Sequence, residues 1–498
     1  MQVPSFEEAP LPEDSAFDRF IARTEKDIRY APVTDFYQFA RDSYSDWVRE
    51  IRSIARETAP EMVVMMGRDE SIRIPSEQDE IARGNIDFSN WHQWITNSIV
   101  FMEYYLNKVR GVPCCGQELG VYQQENGRGF KSLSDKWRAR VLEKKLLYSF
   151  GNWLQWQVHS DPYLSAICET TLGLYRADGT ETPSMRMTRA LNAAEESFAP
   201  YLKGFKGFDL LTLHPTYDYF SMCNPLAIQG VRSHALTLNY RVKAQDDLVL
   251  EHLFTEENRT AWGDPKAIFV PCAQMMSDAA WQLLLKLMRE EGKTVVLCGT
   301  PDRDEYFRPK RRLEEIFPGA KSEPIYGNER ICLNGREFFL DFRRATAYAE
   351  PGHAIEKAVL PGDEENAVRV ASVGKGKLVF CPLPVQLAES ADAVEALYRF
   401  ALDKAGWHNE RFVCTENKSH ILIYPMAFED ATVYTLVNEG ARDSVRFVDL
   451  ASGKSVETEL LAQCGCKLCL THDGRLAAHW SHEPVKVGTE VYPASVKE

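Results

Sequence analysis

Residues 112–122, VPCCGQELGVY, decide how the chain is read. The apolar run 112–115 reads as a buried strand, and the chain then breaks at Gly116 and presents Gln117, Glu118 and Leu119 before a second glycine, Gly120. A glutamate in that place has its backbone set by the strand and its side chain at the strand's carboxyl end. In parallel α/β barrels those ends form the active face, which makes Glu118 a candidate catalytic carboxylate. A surface glutamate in a strand-to-helix loop explains the same residue equally well, so its neighbours must decide.

Upstream, residues 1–33 read as a loop with a short helix near 16–26. A long helix over 34–58 follows, with Thr34 as its N-cap and Phe36, Phe39, Ala40, Tyr44, Trp47, Val48, Ile51, Ile54 and Ala55 at three- and four-residue intervals. MVVMMG, 62–67, is a continuous apolar strand whose end presents Arg68, Asp69 and Glu70. IDFSNWHQW, 86–94, is the next strand, with Trp91, His92 and Trp94 near its carboxyl end. A helix over 98–108 leads into the strand before Glu118. Downstream come a helix from Ser134 to about 150, a strand in NWLQWQVHSDP carrying Trp153 and Trp156 on one face, and a helix over 183–203. Four strand-then-helix units in succession are the grammar of a parallel sheet covered by helices. A complete eight-stranded barrel needs eight such units over roughly 250 residues, so residues 1–204 are expected to form about half of one.

Residues 205–408 change character. LLTLHP, DDLVLEHL, AIFVPCA, TVVLCGT and KLVFCPLP are five short apolar runs with helices between several of them, the clearest from Ser277 to Glu291 with Gly292 as its stop. This is a doubly wound α/β pattern. Its glycines match neither the dinucleotide nor the phosphate-loop spacing, so no nucleotide cofactor is signalled. From 409 to 498 short alternating runs separated by Asn, Gly and Asp turns predict a small antiparallel β domain.

Composition narrows the partners. At 498 residues the chain exceeds what one core organises. A net charge of −14 argues against nucleic acid and anionic membranes, both of which are met by clustered cations. An aromatic content of 11% with ten tryptophans suits a neutral carbohydrate, whose C–H faces lie on flat rings, and equally suits an aromatic core. No basic-then-apolar leader opens the sequence and no uncharged apolar run nears the ~18 residues that span a bilayer. As written, the protein is expected in the cytoplasm, with its twelve cysteines reduced and buried.

The order of parts resembles the second half of a clan A glycoside hydrolase barrel. The resemblance extends further: residues 258–300, NRTAWGDPKAIFVPCAQMMSDAAWQLLLKLMREEGKTVVLCGT, and 374–407, GKGKLVFCPLPVQLAESADAVEALYRFALDKAGW, resemble the flavodoxin-like trimerisation domain of family 42 β-galactosidases. The tail ATVYTLVNEG resembles the small β domain that closes those chains. The resemblance implies a retaining glycosidase without organic cofactor or metal and a trimeric homo-oligomer. In it Glu118 at strand seven is the nucleophile, His92 and Trp94 at strand six touch the sugar or the nucleophile, Trp156 at strand eight is the sugar's floor, and Asp69 and Glu70 lie at the rim. His92 as a hydrogen-bonded core histidine and Trp156 as barrel packing remain alternatives.

One departure matters. Retaining glycosidases use two carboxyl groups about 5–5.5 Å apart. The family's proton donor follows an asparagine at the end of strand four, and no Asn-Glu pair precedes Glu118. The chain is therefore expected to lack the first four strands and the acid, leaving a non-catalytic carbohydrate-binding or oligomerisation scaffold as the rival reading. Two cysteine features are weighed against function. In CGCKLC, 464–469, a strand would turn Cys469 to the opposite face from Cys466, so no metal site is expected. Cys272 ends a strand where an amidotransferase would place its nucleophile, but Pro271 and Ala273 stand in place of an elbow's glycines.

Overall fold

A computed structural model describes residues 33–66, 77–92, 100–112, 114–117, 135–148, 158–160, 173–216, 225–272, 274–349, 354–363, 365–388 and 390–496. The helix expected near 16–26 lies outside them, as does the strand expected in NWLQWQVHSDP except for residues 158–160.

Helix α1 (Val33–Thr58) leads to α2 (Glu77–Ala82), β1 (Ser89–His92), α3 (Val100–Asn107), β2 (Cys114–Gln117), α4 (Asp135–Leu147) and α5 (Pro183–Phe198). Thr34 lies inside α1 instead of capping it, and its hydroxyl donates to the Glu305 carbonyl at 2.7 Å, tying the helix to a distant loop. Residues 62–66 are not a ladder strand, contrary to expectation. The Asp87 carboxylate takes the Val64 N–H (2.7 Å) while the Asp87 N–H bonds the Val64 carbonyl (2.8 Å), so a side chain occupies a place the ladder would need. Helix α5 starts where expected because the Thr182 hydroxyl accepts from Met185 N at 3.3 Å and Pro183 fits the first turn. It stops at Phe198, earlier than expected, because Pro200 cannot continue an α-helical ladder and the chain tightens into a 3₁₀ turn over Ala199–Tyr201.

All five apolar runs of the middle segment become parallel neighbours. These are β3 (Leu210–His214), β4 (Asp247–Leu250), β5 (Ala267–Val270), β6 (Thr294–Cys298) and, after two small antiparallel pairs, β7 (Lys321–Pro324) with β10 (Glu356–Val359) and β8 (Asn328–Leu333) with β9 (Arg336–Asp341), β12 (Gly376–Cys381). Strand β11 (Arg369–Val373) adds an antiparallel edge on β12. Numbered along the chain, the five parallel strands run 2-1-3-4-5, an order of doubly wound sheets. Helices α6 (Pro225–Leu236), α7 (Asp278–Glu291) and α8 (Ala391–Lys404) cover them. Helix α7 has the caps read from sequence, since Ser277 Oγ accepts from Ala280 N at 3.2 Å and Gly292 stops it at φ +75°. The opposite sheet edge, β4, is closed by a side chain. Gln78 of α2 donates to Leu248 O (3.2 Å) and accepts from Leu250 N (3.0 Å), which imitates a neighbouring strand.

The last segment is two antiparallel sheets, β14 (Ile421–Ala427), β15 (Ala431–Asn438), β18 (Gly465–Thr471) and β19 (Leu476–Trp480) in one, and β13 (Phe412–Cys414), β16 (Asp443–Asp449), β17 (Ser455–Leu460), β20 (Val485–Val487) and β21 (Glu490–Tyr492) in the other. Their facing residues, among them Ile423, Tyr434, Phe447 and Leu468, form one core. The outer face of the four-stranded sheet is not solvated. Tyr424, Val433, Val437 and Trp480 pack with residues of α3, α4 and α5 in a second core that continues into the doubly wound sheet.

Helix α3 is the hub, and its described side chains, 101–102 and 104–107, are buried. Phe101 meets the rings of Tyr148, Tyr240 and Tyr424 at 5.8–5.9 Å, Tyr105 donates to Asp246 just ahead of β4 (2.7 Å), and Lys108, just past the helix, donates to Tyr424 of β14 (2.9 Å). One short helix thereby joins the strand pair, the doubly wound sheet and the β sandwich.

Candidate functional site

The stretch around Glu118 is built on the parallel pair β1–β2, in register Ser89 to Cys114, Asn90 to Cys115, Trp91 to Gly116 and His92 to Gln117. Parallel strands require a crossover, which α3 supplies. Strand β2 begins at Cys114 and runs through Gly116, so the break expected at that glycine falls later. Gly116 pairs within the ladder, opposite Trp91. Ser89, Asn90, Cys114 and Cys115 are all buried, and burial pushes the Cys115 thiol up to about 11. The Asn90 amide donates to the Met66 carbonyl, which fastens the apolar segment 62–66 against this pair.

The register sets the carboxyl ends side by side: the main chain of His92 faces that of Gln117, and the next residue in sequence is Glu118. Of the residues singled out from sequence, only His92 is described, through its main chain. Glu118, Asp69, Glu70, Trp94 and Trp156 lie outside the described residues.

A cavity of about 300 Å³ borders β2 at its other, amino end. Tyr104, Tyr148, Phe208 and Tyr424 wall it, and Lys108 and Asp247 are its charged groups. Burial pulls the Lys108 ammonium below its usual range, opposed by Asp247 and Asp246, and pushes the Asp247 carboxyl up, opposed by Lys108 and Arg110. The amine lies over the Tyr105 and Phe208 rings at 4.8 and 4.9 Å. Sequence reading missed this pair, although two adjacent acids opening an apolar strand, DDLVL, were a usable signal. It also missed the backbone of Cys272, which adopts φ +48° two residues after β5. The ten cysteines described are unbridged and eight of them are buried, as read from their apolar settings.

No protein-family profile matches the sequence, and no curated protein matches it. Solved structures do. A cold-adapted β-galactosidase from Rahnella sp. superposes with TM-score 0.65 at 10% identity, over 88% of this chain and 68% of that one. A β-galactosidase from Bacillus circulans sp. alkalophilus gives 0.63 at 13%, over 88% and 67%. A catalytic mutant of a GH42 β-galactosidase from G. stearothermophilus gives 0.61 at 11%, over 91% and 67%. The chain shares its fold with GH42 β-galactosidases. It spans about two thirds of the length of each, and at this identity the likeness is one of fold.

Proposed function

We propose that this chain is the carboxyl-terminal part of a retaining, β-galactosidase-like glycoside hydrolase in which Glu118 is the nucleophile. The observation that carries the reading is the β1–β2 register, which brings the His92 end of one parallel strand beside Gln117, one residue before Glu118. The likeness in fold to GH42 β-galactosidases over about nine tenths of the chain supports it. In this reading residues 1–204 are the last four units of a barrel, 205–408 a flavodoxin-like unit of the trimerisation type, and 409–498 the closing β domain. His92 and Trp94 contact the sugar, Trp156 is its floor, and Asp69 and Glu70 stand at the rim. The substrate is a carbohydrate, and no step calls on an organic cofactor.

The chemistry sets the expected rate. A carboxylate attacks the anomeric carbon while a second carboxyl group protonates the leaving oxygen. No Asn-Glu pair precedes Glu118, so activated glycosides with good leaving groups are turned over slowly and ordinary β-galactosides hardly at all. General acid assistance is commonly worth ~10²–10⁴-fold. The test is incubation with a 2-fluoro galactoside carrying an activated leaving group, followed by peptide mass analysis. A glycosyl adduct on Glu118 that is lost in Glu118→Gln is the expected result. An unlabelled Glu118 would favour the second reading, a carbohydrate-binding or oligomerisation scaffold, which the missing Asn-Glu pair already recommends.

A further inference from the structure

Three side chains from separate elements meet at one end of the β sandwich. Glu143 comes from α4, Cys464 immediately precedes β18, and His482 lies two residues beyond β19. One donor atom from each, a carboxylate oxygen, the thiol sulfur and an imidazole nitrogen, lies within 4.8 Å of the other two. His482 Nε2 is 2.7 Å from Glu143 Oε1, and the same oxygen accepts the indole N–H of Trp480. Glu143, Cys464 and Trp480 are buried, while the His482 side chain keeps 17% exposure. Beside them opens a cavity of about 490 Å³, lined by Glu143, His482, Trp480, Arg140 and Met187.

We propose that Glu143, Cys464 and His482 form a binding site for a divalent cation of the zinc class, which clips α4 to the ends of β18 and β19. Three protein ligands of mixed O, N and S type with a fourth position left open are a pattern of zinc. The cavity bordered by Glu143 and His482 leaves room for water to supply the fourth donor. With zinc about 2.0–2.3 Å from each donor, ligand atoms stand about 3.3–3.8 Å apart, so the Glu143–His482 contact widens by under about 1 Å and the ion replaces its hydrogen bond. Binding releases the Cys464 thiol proton and requires neutral imidazole, so affinity falls as pH falls. The set was invisible in the sequence because Glu143 lies more than 300 residues from the other two.

The full chain, stripped with chelator, is titrated with cobalt(II) and separately with zinc(II). One equivalent of cobalt gives a thiolate-to-metal charge-transfer band in the near ultraviolet and the visible bands of a four-coordinate ion, and zinc raises Tm. Cys464→Ser, with its fold checked by circular dichroism, loses the charge-transfer band and the zinc-dependent rise. If that variant does not fold, His482→Ala, at the partly exposed ligand, carries the test by binding cobalt at least tenfold more weakly. Absence of the band in the wild-type chain overturns the proposal and leaves a hydrogen-bonded tie. A band or Tm rise unchanged in the variants places the ion elsewhere and overturns it equally.

Discussion

His214 ends β3 fully buried, and among the described residues neither ring nitrogen meets a hydrogen-bond partner. Burial, with the nearby His252, holds its pKa down at about 3 against the ordinary 6.5. The unfolded chain takes up a proton near pH 6.5 that the folded chain refuses until about 3, so this residue's contribution is full above 6.5 and drains away as pH falls through that window. At pH 5 the loss is about 2 kcal/mol. Unfolding free energy measured in urea at pH 7 and pH 5 will therefore drop less in His214→Leu than in the wild type, and parallel drops would show that the imidazole titrates normally. Gly230 in α6 offers a second residue-scale case. A Cβ there would lie 1.8 Å from the Cys272 sulfur. Alanine gains up to ~1 kcal/mol of helix propensity, yet the overlap should outweigh it and destabilise by about 1–3 kcal/mol. Cys272→Ala in the same chain should recover most of that loss, and a double-mutant cycle by thermal unfolding that shows no coupling would refute the contact. At this scale the sequence was legible where one residue dictates its own surroundings, as Ser277 and Gly292 do at the ends of α7. It was silent on Cys272, because the left-handed backbone and the close approach of its sulfur to Gly230 of α6 join residues remote in sequence.

Elements were legible when a single periodicity governed them. The five apolar runs of the doubly wound sheet have both faces covered, so each reads as a strand whatever its neighbours are. Strand β18 shows where that logic fails. Alternation in KLCLTH places Lys467 outward, toward water, but α4 and α5 pack on that face and Lys467 is buried against Glu195 of α5 at 2.6 Å and over the Phe198 ring at 5.3 Å. Burial pulls the lysine down and pushes the glutamate up, each opposed by the other's charge. Removing one partner strands a buried charge, so Lys467→Met should cost about 3–5 kcal/mol, whereas Lys467→Met with Glu195→Leu should return most of it because the pair's desolvation is relieved as well. Chemical denaturation of the three variants checks this. A double variant no more stable than Lys467→Met would mean that the pair holds α5 to the sandwich by more than its mutual neutralisation.

At the scale of the molecule, the periodic apolar stripe of α1 is half covered. Phe39 and Val48 are buried, Val48 in a small core with Met66 and Ile86. Farther along the same helix Trp47, Ile51 and Ile54 are 55%, 42% and 57% exposed, and beside the helix's end Met62 and Val63 are 49% and 61% exposed. The sequence could show that α1 is amphipathic. It could not show how much of the stripe finds a partner, since that depends on every element packed beside it. A patch of this kind drives association. The purified chain should therefore gain apparent mass with concentration in sedimentation velocity. Trp47→Glu with Ile54→Glu should lower that mass while leaving Tm nearly unchanged, because both side chains already face water in the isolated fold. A wild-type chain that stays monomeric across the concentration range, or a variant that associates as before, would remove this face from any assembly.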